Sequence, residues 1–84
     1  MIQILHIDKQ RKIAMKIALK KMMNNKPVKA SDRGLFYINR LYKTNYKGDC
    51  NFYITSIRKD GFLSIESEEF NFDKPYPIEY FQFS

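Results

Sequence analysis

Histidine and cysteine each occur once in this chain, as His6 and Cys50, and nine acids stand against fifteen lysines and arginines. A lone cysteine excludes an intrachain disulfide framework, so nothing in the composition points to secretion. One His and one Cys also fall short of any zinc signature, and no Walker-type phosphate loop or nucleophile elbow is present. Long hydrophobic runs are missing too: no stretch approaches the roughly 20 apolar residues of a membrane span. The apolar start, MIQILHI, is too short for a signal peptide and carries its charges after the run instead of before it. The expectation is a cytoplasmic chain that uses no cofactor and no metal.

What is present argues for a folded core. A 44% hydrophobic and 15% aromatic composition is too rich for a disordered chain. At 84 residues the whole chain, 1–84, reads as a single small domain. A domain of that size buries only about 60 to 65% of the surface its unfolded chain exposes. Self-association as a homodimer would cover some of the rest.

Charge is more informative by segment than in total. Residues 1–30 hold eight basic side chains and one acid, residues 31–60 six and three, and residues 61–84 one and five. The local balances of +7, +3 and −4 within a net +6 imply a bipolar surface whose basic end attracts polyanions. Lysines also serve simply as a solvated face.

Met1 to Ile7 is nearly continuous in apolar residues and reads as a strand buried on both faces. His6 within it reads as a hydrogen-bonded structural residue, with no Asp or Ser visibly arranged around it. Asp8 to Asn25 is the one long segment read with helical periodicity, Asp8 serving as N-cap and Asn24 or Asn25 as a left-handed C-cap before Pro27. Ala14, Met15, Ala18, Leu19 and Met22 gather on a core-facing side, with Lys9, Lys16 and Lys20 roughly opposite. Ile13 and Ile17 fall beside the lysines, where they widen the core face or meet a partner.

Lys26 to Gly34 reads as a basic polar connector. Leu35 to Thr44 reads as a strand, with Phe36, Ile38, Arg40 and Tyr42 on one face and Leu35, Tyr37, Asn39 and Leu41 on the other. Asn45 to Asn51 is a turn, and Phe52 to Arg58 and the run from Phe62 are strands joined by a hairpin at Asp60-Gly61. Two registers fit that hairpin: a two-residue loop pairs Ile57 with Ser64, and a three-residue loop pairs Ile57 with Leu63. Glu66 to Asp73 carries four acids but no calcium-loop spacing, so the acids read as lysine partners or edge cover. Pro75 and Pro77 make a rigid connection in which a cis bond is conceivable, and Ile78 to Phe83 is a last strand. The order is β-α-β-β-β-β, an α+β domain with one basic amphipathic helix on a predominantly antiparallel sheet.

Function is read from the surface. Arg11, Lys12, Lys16, Lys20, Lys29, Arg33 and Arg40 are the candidate phosphate contacts, and Tyr37, Tyr42, Tyr46 and Tyr53 the candidate base-stacking residues of a sequence-tolerant, non-enzymatic RNA-binding protein. Tyrosines in a sheet also serve as half-buried packing. Duplex DNA is a poorer match, because no helix-turn-helix partner accompanies the helix. Arg33-Gly34-Leu35-Phe36-Tyr37-Ile38 resembles the RNA-recognition-motif signature, but Leu35, Phe36 and Arg40 depart from it and the second helix of that family is missing. The chain is not assigned to that family. Lys47-Gly48-Asp49 through Leu63 resembles the strand–turn–strand pattern of SH3-like barrels, which implies such a barrel with an N-terminal helix as an alternative fold. In size and charge the chain resembles small ribonuclease toxins of the RelE type, without a match to their active sites. In general character it resembles early host-takeover proteins of T-even-like phages, which implies a phage or plasmid factor and, as a rival function, inhibition of a host enzyme by protein binding.

Overall fold

Nothing between Ile7 and Lys9 breaks a helix, and a short unalternated apolar run suits a buried helical segment as well as a strand. The helix wins. A computed structural model of the chain, which describes residues 2–68, 72 and 74–83 (residues 2–8 by backbone alone), shows one helix, α1, over Ile2–Met23. The strand expected for Met1 to Ile7 is therefore helical from Ile2, and Asp8 lies inside α1 instead of capping it. The side chains of His6 and Asp8 fall outside the described residues. At the other end the expected cap is present: Asn25 is left-handed at φ 52°. The Lys26 N–H donates to Lys21 O at 2.8 Å and the Asn25 N–H to Met22 O at 3.2 Å. That is the six-to-one and five-to-two pattern of a Schellman ending.

The connector also proves structured. Lys29–Ala30 forms β1, and Asp32–Tyr42, read above as loop and strand, is a second helix, α2. Its start is written in the chain. Ser31 caps it with Oγ accepting from the Gly34 N–H, and Asp32 puts an acid in the first turn. The alternating reading left both faces equally apolar, whereas a 3.6-residue period puts Gly34, Leu35, Ile38 and Tyr42 on one inward side. Lys43 closes α2 in the left-handed region at φ 54°. Asn39 then fixes the loop that follows, its Nδ2 donating to Tyr46 O and its Oδ1 accepting from the Thr44 hydroxyl and the Tyr46 N–H.

The strands are short and antiparallel. β2 (Tyr53–Ile57) and β3 (Phe62–Glu66) form the expected hairpin, in the three-residue register that pairs Ile57 with Leu63. Gly61 takes φ 86° in that turn, a conformation that favours glycine. A register shift between Ile54 and Ser56 places a bulge at Thr55. β4 (Tyr76–Pro77) pairs with β3, a 3-10 turn η1 follows over Ile78–Tyr80, and β5 (Phe81–Gln82) returns to β1. Among the described residues a single isolated bridge, Val28 to Phe52, links the two sheets. Among the described residues no barrel closes, because β4 and β5 are joined through η1 and not by a ladder, so the SH3-like alternative is not adopted. The peptide bonds before Pro75 and Pro77 are trans.

The α+β class thus holds, the described residues forming two helices on antiparallel sheets in the order α-β-α-β-β-β-β. α1 lies against β2 and η1, and α2 against η1 and β1. Between them Ala18, Ile38, Phe52, Leu63, Ile65 and Ile78 are buried almost completely. Ala14, Met15 and Met22 pack on this core from α1 as expected, but Leu19 is exposed. Among the described residues no helix is long and apolar enough to cross a membrane, and no three His, Cys, Asp or Glu side chains converge as a metal site requires.

Candidate nucleic-acid interface

Two helix faces turn basic side chains outward. On α1, Lys9, Lys12, Lys16 and Lys20 are exposed, at the three- and four-residue spacing that aligns them along one side. Successive members at four residues are about 6 Å apart along the axis. Among the described residues none of the four pairs with an acid. Ile13, Leu19 and Met23 border the stripe and are exposed as well.

The outward face of α2 has different chemistry. Arg33, Phe36, Tyr37, Arg40 and Leu41 fall on it together, with Phe36, Tyr37 and Leu41 at 59%, 45% and 53% exposure. Tyr37 lies over the Tyr80 ring at 5.5 Å between centroids and 6° between planes. Tyr80 in turn stacks on Tyr76 at 5.9 Å and 25°. Tyr37, Arg40, Leu41, Tyr76 and Tyr80 line a cleft of about 390 Å³.

The position of α2 is fixed by contacts that tolerate little change. A Cβ on Gly34 would stand 2.0 Å from the Tyr80 carbonyl oxygen, so only glycine lets α2 come this close to η1. Ser31 reinforces the contact: its N–H donates to Tyr80 O at 2.8 Å and its hydroxyl to Glu79 O at 3.0 Å. Below, the Tyr76 hydroxyl donates to the Tyr42 hydroxyl at 2.6 Å.

The structure divides the sequence-derived candidates. Lys12, Lys16 and Lys20 share the α1 stripe, and Arg33, Tyr37 and Arg40 share the α2 face. Arg11 is not on the stripe: its Nε donates to Glu79 Oε1 at 2.6 Å, tying α1 to η1. Lys29 is engaged locally, its Nζ donating to Asp49 O at 2.6 Å and to Asn51 Oδ1 at 2.8 Å. Tyr42 and Tyr46 are half-buried with edge contacts to Phe72 and Phe52 respectively, and the Tyr46 hydroxyl meets Ser67 Oγ at 3.1 Å. Tyr53 is half-buried in β2. Phe36, Leu41 and Tyr80 were not among the candidates. A helical period over 33, 36, 37, 40 and 41 would have singled out the first two, whereas Tyr80 reaches the face only through the fold.

A second opening of about 490 Å³ is lined by Thr44, Asn45, Tyr46, Cys50, Asn51, Ser67 and Glu68. Cys50 is half-buried there. Comparison with protein-family models, with curated protein sequences and with solved structures gives no match.

Proposed function

We propose that this chain is a small RNA-binding protein that holds its ligand with little sequence preference and performs no chemistry on it. The α1 stripe carries the reading: four exposed lysines on one side, with no acid partner among the described residues. Lysines so placed neutralise successive phosphates and release counterions. RNA is favoured over duplex DNA because neither helix is set in a helix-turn-helix arrangement. The lysine- and asparagine-rich composition supports a phage or plasmid factor acting in the cytoplasm, one that sequesters RNA used by host or defence machinery. Ile13, exposed beside the stripe, supports a homodimer contact.

The test is a binding titration with single-stranded RNA, duplex RNA and duplex DNA at two salt concentrations. RNA is expected to bind at low salt and to be lost steeply as salt rises. Reversing Lys12, Lys16 and Lys20 together to glutamate should reduce the logarithmic salt dependence by about 2, from some 0.7 per phosphate contact on a single strand. If no polymer binds at low salt, the reading fails. Unchanged affinity in the triple variant moves the contact off α1.

A second reading rests on a different observation. The exposed Phe36 and Tyr37 beside Arg33 and Arg40 match the residue types that anchor protein interfaces, as a host-enzyme inhibitor requires.

A further inference from the structure

The α1 stripe accounts for affinity to a polyanion but leaves the α2 face unused. We propose that the cleft between α2, β4 and η1 is a stacking subsite for one unpaired base of a single-stranded RNA, with Arg40 meeting the adjoining phosphate. This rests on the RNA-binding reading and narrows it from a polyanion to an unpaired strand.

Three features of the cleft support that occupant. Tyr37, Tyr80 and Tyr76 hold nearly parallel planes, and with Tyr76 buried a planar base extends this ordered stack at its exposed Tyr37 end, beside the Phe36 ring that packs at right angles on Tyr37. Among the described residues Arg40 is the one charged side chain lining the cleft, it is exposed, and it pairs with no acid. Arg33, two turns earlier on the same face, gives a second positive group of the kind a strand running along α2 would meet. The volume, about 390 Å³, lies within the range of small-ligand clefts, roughly 300 to 1,000 Å³.

The same features disfavour a duplex. A paired base has both faces covered by its neighbours and cannot enter a ring stack without being extruded. A strand with splayed bases enters without that cost. Neither Ser31 nor Gly34 touches the ligand in this scheme, but their contacts with η1 keep Tyr37 in line with Tyr80.

The experiment titrates two labelled ten-nucleotide strands, one of ordinary single-stranded RNA and one with the same ribose-phosphate backbone lacking bases, against the full chain and its Tyr37→Leu and Tyr37→Phe variants. Ordinary RNA should bind the parent about ten-fold or more tightly than the abasic strand, in line with the contribution of one stacked base. Tyr37→Leu should remove most of that difference while leaving abasic binding and its salt dependence unchanged. Tyr37→Phe should keep the difference, since the ring face remains. Urea unfolding of each variant confirms that the fold is intact. Equal binding of the two strands, both lost with salt, overturns the subsite and leaves the broader reading standing. Absence of binding by either strand at low salt overturns both. If Tyr37→Leu leaves ordinary RNA unaffected, the face serves another partner, such as a protein, and the subsite is refuted.

Discussion

α1 carries its outward charge on lysine with no aromatic residue from Lys9 to Met23, whereas α2 carries its charge on Arg33 and Arg40 with Phe36 and Tyr37 between them. The two helices are held as differently as they are decorated. α1 rests on Ala14, Met15, Ala18 and Met22, small or pliable side chains that accept several fits, and the Arg11–Glu79 pair that ties it to η1 is screened by solvent. α2 is pinned by a glycine against a carbonyl and by a serine that donates two hydrogen bonds to η1. A lysine ammonium is a hydrated point charge that acts in any direction, so its helix needs no exact placement. Planar groups act only when aligned. On the proposed reading, the firmer seat belongs to the helix whose chemistry depends on alignment.

The largest way to break this contrast is Gly34→Ala. Helix propensity alone would favour alanine by about 1 kcal/mol. The added Cβ, fixed in place by its own helix, would meet the backbone Tyr80 O at 2.0 Å, so α2 or η1 must move. Overpacking of this kind costs about 1–3 kcal/mol, and a net loss of about 2 kcal/mol is expected in urea unfolding, together with a changed near-ultraviolet tyrosine dichroism. An unchanged midpoint would show that the close approach is not required. Ser31→Ala comes next, at about 1 kcal/mol for a lost N-cap. Its hydroxyl also donates to Glu79 O, so the measured cost should be no smaller than that of a cap alone.

These positions show what could be read from the chain and what could not. The Asn24-Asn25 cap, the Asp60-Gly61 hairpin and the Ala14/Met15/Ala18/Met22 face are local patterns with local causes, and all are present in the fold. α2 was hidden because Leu35 to Thr44 is rich in aromatics and β-branched side chains, which favour strands when only neighbours are counted. Tertiary packing decided otherwise: Gly34 against η1 and Ile38 in the core reward a helix. Arg33, Tyr37 and Arg40 are candidates by residue type alone, but an alternating pattern sets Tyr37 and Arg40 on opposite faces. The helix brings them together. The partners of Arg11 and Lys29 lie 68 and about 20 residues away in sequence, a distance at which no local pattern reports.

The smallest expected effect tests whether α1 has one basic face or two. Arg11 lies one residue from Lys12, yet its guanidinium sits beside Gly61 and pairs with Glu79, with 34% and 42% of the two side chains exposed. Solvent screens such a pair, so replacing Arg11 by methionine, which keeps an unbranched stem of similar reach, should cost no more than about 1 kcal/mol in urea unfolding. Its effect on RNA should also be slight, because the charge is already opposed by Glu79. Lys12→Met, by contrast, should lower the logarithmic salt dependence by about 0.7, one phosphate contact on a single strand. Measured side by side at matched salt, the two variants separate adjacent residues by what each one faces. If Arg11→Met lowers the salt dependence as far as Lys12→Met does, Arg11 exchanges Glu79 for phosphate when RNA binds, and α1 contributes its inner edge as well as its lysine stripe.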